Sequence, residues 1–171
     1  MLKLLYLVKM TKNNGHIELQ GQHQSGDAFS KFKSFPMKEE FYKKLEVLMN
    51  RKKSNNSYFI DPERYDELIR ELNDVKNKLY KDFNDYKLLA NYDVIKVNEK
   101  DRLIRPRNDV NMCIKFYIST EELFGVLHTI HLLFKHADID VMEREIKVKY
   151  CNISKPVIKM YLTCCKTCSK G

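Results

Sequence analysis

Nothing at the start of this 171-residue chain is apolar for long enough to serve as an export signal or an anchor. The opening stretch MLKLLYLVKM holds a five-residue apolar run and no small-residue cleavage site, whereas a secretory signal needs roughly 7–15 apolar residues and a bilayer span about 20. A disulfide framework is lacking too. The five cysteines are odd in number, and Cys164, Cys165 and Cys168 crowd into five positions, leaving Cys113 and Cys151 isolated. A cytosolic or nuclear chain is expected, in which thiols stay reduced and free to bind metal. There is no internal repeat and no long low-complexity tract, which sets aside repeat architectures. The basic excess has no focus: the formal charge of +8 divides into +4 over residues 1–90 and +4 over residues 91–171. A concentrated patch would point to nucleic acid far more strongly than this diffuse surplus.

With 43% hydrophobic residues the chain can form one ordinary domain or two small ones. Residues 1–35 form a mobile arm in this reading, since 11–34 are rich in Asn, Gln, Gly, Ser and Lys without apolar periodicity. A helical lead-in over 36–91 follows. Its first helix starts near Pro36 and carries Phe41, Leu45 and Leu48; its second has Asp61 as N-cap and Pro62 at the first helical position. Tyr65, Leu68, Ile69, Leu72, Val75 and Leu79 then make one apolar face. A third, shorter helix runs from Asp85 through Leu88 and Leu89. From Tyr92 the period falls to two, predicting a small β hairpin or sheet over 92–118, with Ile114, Phe116 and Ile118 as a candidate third strand. Ser119 and Glu122 form a capping box that opens the C-terminal unit, 119–171. Helices are expected there from Leu123, over Val141–Tyr150, and from Ser154. The fold class is thus mainly α with a small antiparallel β element and a C-terminal three-helix domain.

That last unit carries His131 and His136, with four residues between them, and Cys165 and Cys168, with two between. Two imidazoles and two thiolates are the donor set that tetrahedral, structural zinc selects. The five-residue step prevents both histidines from sharing one face of a continuous helix, so the helix should end between them, while the cysteines converge from one turn at a helix end. Two Cys⁻ and two neutral His balance Zn²⁺, and four ligands leave no place for an activated water. His128, three residues before His131 on the same helix face, is the alternative ligand. A helix-rich unit of about fifty residues buries little apolar surface, and one structural Zn²⁺ is a usual remedy.

Residues 122–171 resemble the His-His-Cys-Cys zinc-binding domain that precedes the catalytic core of retroelement integrases. The likeness is strongest to integrase-derived sequences of certain DNA transposons and of KRAB-A- or SCAN-containing host proteins. It rests on Thr120 to Phe124, Val126 to His128 with His131, Lys149 to Ile153, and Tyr161 to Cys168, and extends more loosely back to residue 36. The resemblance implies zinc on His131, His136, Cys165 and Cys168, and a nuclear or cytoplasmic protein derived from a transposable element. The family usually has glycine before the second histidine and two positions after it; here Lys135 and Asp138 stand in those places. The chain is expected to lack the RNase-H-like core with its Asp-Asp-Glu triad, and so to be no enzyme for DNA integration.

The function expected is a non-catalytic zinc-binding unit that contacts DNA, assembles as a homo-oligomer, or both. Arg144, Lys147, Lys149, Lys155, Lys159 and Lys166 are the candidate phosphate contacts, and Val157, Ile158 and Tyr161 an apolar stripe that could support assembly. The alternative is a protein-interaction module working through the amphipathic helix 62–80, with zinc purely structural. No membrane and no small-molecule substrate are expected. A thiol oxidoreductase using Cys165 and Cys168 is disfavoured, because redox pairs of that spacing sit at a helix N-terminus and this pair follows a helix.

Overall fold

A computed structural model describes residues 36–51, 59–109 and 112–168. The expected N-terminal arm lies outside them. The elements run α1 Pro36–Arg51, α2 Pro62–Asn77, α3 Phe83–Asn91, β1 Asp93–Val97, β2 Lys100–Ile104, a 3₁₀ turn Thr120–Glu122, α4 Leu123–Leu133, α5 Ile139–Lys149 and α6 Lys155–Cys164. The mainly helical class with one small antiparallel sheet is what the periodicities predict.

Local capping sets most boundaries. Asp61 accepts from the Arg64 N–H at 2.8 Å and Pro62 opens α2. Asp82 and Asp85 exchange backbone-to-carboxylate hydrogen bonds at the start of α3, satisfying donors that a helix N-terminus leaves free. Asp138 accepts from Asp140 and Val141, so α5 begins at Ile139, two residues earlier than predicted. The predicted α2 stripe runs one turn too far. The backbone turns extended at Lys78, and Leu79 stands outside the helix, exposed.

β1 and β2 pair antiparallel, with Asp93 opposite Ile104 and Val97 opposite Lys100. The candidate third strand is not one. Residues 114–118 make only single bridges, Phe116 with Ile104 on one side and with Tyr150 on the other, because the segment threads between β2 and the end of α5. Its backbone is satisfied piecemeal: Tyr117 N–H donates to Leu103 O, Phe116 N–H to Lys149 O, and Cys151 N–H to Phe116 O. Buried Asn152 completes the seam, accepting from Ile118 N–H at 3.0 Å and donating to Ile118 O at 2.8 Å.

Two apolar clusters result. The smaller holds Ile60, Tyr65, Leu68, Leu72 and Leu103, so the apolar face of α2 is interior and offers no working surface of the kind the helix 62–80 reading needs. The larger gathers α4, α5 and α6 around Leu127, Met142, Ile146, Val157, Ile158 and Tyr161, and it includes Phe41 and Leu45 of α1. The lead-in 36–91 therefore contributes to both clusters. Val157, Ile158 and Tyr161 are core residues, which removes them as an assembly stripe.

Candidate metal centre

On α4, Leu123, Leu127 and His131 recur every four residues and all are buried. His131 thus continues the apolar face into the core. The helix stops at Leu133, between the two histidines, as their spacing predicts. The stop has a specific form. His136 N–H donates to His131 O at 2.8 Å and Lys135 N–H to Leu132 O at 3.0 Å, the paired hydrogen bonds of a Schellman helix end. Lys135 and His136 have φ of 54° and 63°. One backbone hydrogen bond therefore links the two histidines, and the five-residue step is the step of this turn.

The thiols arrive from the end of α6. Cys165 follows the last helical residue, and Cys168 N–H closes a turn onto Cys165 O at 3.1 Å. Four donor atoms then converge. His136 Nδ1 lies 3.0 Å from His131 Nε2. Cys165 Sγ lies 3.4 Å from each histidine's inward nitrogen, and Cys168 Sγ lies 3.4 Å from His131 Nε2 and 3.6 Å from His136 Nδ1. All four atoms fall within 4.8 Å of one another, close enough to hold a metal ion. Tetrahedral bonds of about 2.0–2.1 Å to nitrogen and about 2.3 Å to sulfur would separate two nitrogens by about 3.3 Å and nitrogen from sulfur by about 3.5 Å. The observed N–N and N–S separations match an N₂S₂ centre to within a few tenths of an ångström.

The surroundings favour the ligand forms. His131 Nδ1 lies 3.1 Å from Ala137 O, so that nitrogen carries the proton and Nε2 keeps its lone pair. Burial holds His131 below the usual histidine range. Burial acts the other way on Cys165, but hydrogen bonds from Cys168 and Thr167 outweigh it and hold the thiol low. The turn that presents the cysteines thus favours one thiolate, on Cys165, while burial and the same hydrogen bond with Cys165 hold the Cys168 thiol above its ordinary value.

His128 is employed elsewhere. Its Nδ1 lies 2.9 Å from Tyr161 Oη and its ring stacks on Phe124 at 5.2 Å, while Tyr161 stands edge-on to His131 at 5.4 Å. Tyr161 is buried and its phenol is held well above the ordinary range, first by burial and then by the nearby thiols. The spacing of His128 and His131 marks a shared face but does not say which reaches the cysteines. The supporting roles of Tyr161 and the Ala137 carbonyl have no signal in the sequence pattern.

Compared with known proteins, the chain is 38% identical over 132 residues, 77% of its length, to KRAB-A domain-containing protein 2 of Homo sapiens. It spans 27% of the human protein's length. No family model matches the sequence, and no solved structure matches it either.

The candidate phosphate contacts divide. Arg144 pairs with Glu145 at 3.0 Å, Lys147 with Glu143 at 2.7 Å, and Lys155 with Glu143 and Asp140 at 2.8 and 3.5 Å. Lys149 lies 5.7 Å from the Tyr150 ring centroid, and Lys149, Lys159 and Lys166 are exposed. Half the set is thus already matched to carboxylates. No helix among the described residues is long and apolar enough to cross a membrane.

Proposed function

We propose that His131, His136, Cys165 and Cys168 hold one structural Zn²⁺, and that the chain is a non-catalytic, integrase-derived module whose zinc-stapled helices bind nucleic acid. The observation that carries the reading is the closed four-donor set, two nitrogens and two sulfurs whose N–N and N–S separations suit a tetrahedral centre. When bound, the ion supplies a cross-link between the end of α4 and the end of α6. With four protein donors it has no open position for substrate or activated water. The motif resemblance supports the integrase origin.

Elemental analysis of the purified protein tests the metal: one zinc per chain is expected, lost in Cys165→Ser together with the folding of the C-terminal helices. Correctly folded protein without zinc would overturn the assignment. Duplex-DNA binding against salt tests the rest. If Lys149, Lys159 and Lys166 are the phosphate contacts, log K should fall with log salt at a slope of about −2 to −3. Binding that ignores salt, or no binding at low salt, would leave assembly as the module's function.

A further inference from the structure

Basic residues that the sequence scatters are brought together where β2 meets the segment 114–118. Ile104 and Phe116 form an antiparallel bridge, and Arg105 N–H donates to Lys115 O at 2.9 Å. Arg105 and Lys115 therefore stand opposite one another. By the alternation of extended chain they share the face of Leu103 and Tyr117, not that of Ile104 and Phe116. Cys151 lies on the same side: burial pushes its thiol up to about 11, against the pull of Tyr117, Arg105 and Lys115. Tyr117 then leads to α3. Its ring centroid lies 4.9 Å from that of Tyr92, and its Oη donates to Asn91 O at 3.1 Å. Tyr92 in turn lines a cleft of about 500 Å³ together with Phe59, Leu68, Asn84 and Lys87. Among the described residues Lys87, Arg105 and Lys115 form no ion pair with a carboxylate. Arg64, also at the cleft, is matched by Glu67 and Glu71 at 3.1 and 2.7 Å.

We propose that this surface binds single-stranded nucleic acid, a base entering the cleft against Tyr92 while flanking phosphates meet Lys87 on one side and Arg105 and Lys115 on the other. Cations alone would suit any polyanion. Aromatic rings set between them suit unpaired bases, whose faces are free to stack, whereas a duplex keeps those faces covered. The rings are held before a ligand arrives, because the backbone N–H groups of Tyr92 and Tyr117 are fixed to Leu88 O and Leu103 O. Little ordering cost is then left for binding at the aromatic pair. Of the two amides at the cleft, Asn91 Nδ2 already donates to Lys87 O at 2.8 Å, leaving Asn84 to meet a base edge. One amide reads little, so a sequence-tolerant site is expected. That assignment rests on the nucleic-acid reading above, but the surface lies outside the zinc-stapled helices and takes a different form of the ligand.

The test is fluorescence anisotropy of a labelled oligo-dT of about 15 nucleotides, titrated with the full chain and one equivalent of zinc at several salt concentrations. Oligo-U run alongside distinguishes the two sugars, and a duplex of the same length distinguishes the two surfaces. Log K should fall against log salt at a slope of about −2, from three phosphate contacts at about 0.7 each. Arg105→Gln with Lys115→Gln should weaken single-strand binding about 10- to 30-fold and flatten the slope to about −0.7, with duplex binding through Lys149, Lys159 and Lys166 unchanged. Tyr92→Leu should weaken single strands about 5- to 100-fold without changing the slope, and Tyr92→Phe should keep the affinity, since the ring does the stacking. Tyr92 also packs on the smaller cluster, so if Tyr92→Leu unfolds, the double glutamine variant, which removes no fully buried group, decides. No single-strand binding at low salt overturns the proposal, while duplex binding would leave the earlier reading standing. Single-strand binding that survives the double glutamine variant but is lost in Lys149→Gln, Lys159→Gln and Lys166→Gln combined also overturns it, because the ligand would then lie on the zinc-stapled helices. Single-strand binding lost in the double glutamine variant, with no duplex binding at any salt, would uphold this surface and remove the helix contacts.

Discussion

Lys135 occupies a backbone position that glycine fills more comfortably. Its left-handed conformation closes the Schellman turn between the two histidines, and for a residue with a Cβ that conformation costs about 1–2 kcal/mol. Glycine would relieve this, but its looser unfolded chain returns about 0.5–1 kcal/mol. Lys135→Gly should therefore change stability by less than about 1 kcal/mol and retain metal affinity. Lys135→Val should cost about 1–2 kcal/mol more than glycine, because a β-branched side chain resists positive φ, and should weaken metal binding by displacing His136. Denaturant melts and competition against a chromogenic chelator measure both. Equal behaviour of the two variants would show that the turn does not set the ligand geometry.

Between elements, Glu143 of α5 bridges Lys147 on its own helix and Lys155 at the start of α6. Those two ammonium groups hold its carboxyl down at about 2. A depressed folded-state value stabilises the fold above the unfolded value, near 4.5, and the contribution is lost as pH falls toward 2. Glu143→Gln should thus melt slightly below wild type at neutral pH, the gap narrowing as pH drops below about 4.5. Urea melts of the pair at pH 7 and pH 3.5 check the sign; a gap that widens in acid would rule out this bridge as its source. Much at this scale was legible in sequence because it is local. Asp61 with Pro62 and Ser119 with Glu122 mark helix starts within a few residues, and the histidine spacing forces a helix end. Leu79 misled because apolar periodicity carries no stop signal, and residues 114–118 misled because alternation is also what a lone extended segment shows when it lies between two partners. The spacing of the four donors was legible; the left-handed turn that joins two of them was not, since lysine is a poor marker for it.

Across the whole molecule, the chain order and the packing order differ. Phe41 of α1 stacks edge-on to Tyr161 at 6.1 Å and lies 5.7 Å from Phe124, so the first described helix belongs physically with the last. No local pattern announces this, because it depends on a contact spanning some 120 residues. Metal removal should expose it. When zinc is chelated, hydrogen exchange should quicken in residues 36–51 together with 123–164, while α2 and the hairpin, built around Leu72 and Leu103, stay protected longer. Loss of protection confined to 123–164 would show that α1 folds without them. The same arrangement decides what can be transplanted. A cassette cut at Ser119, where the sequence motif begins, would leave behind the side chains that roof Tyr161, so grafts and recombinants that respect the motif's edges would carry the ligands without their scaffold.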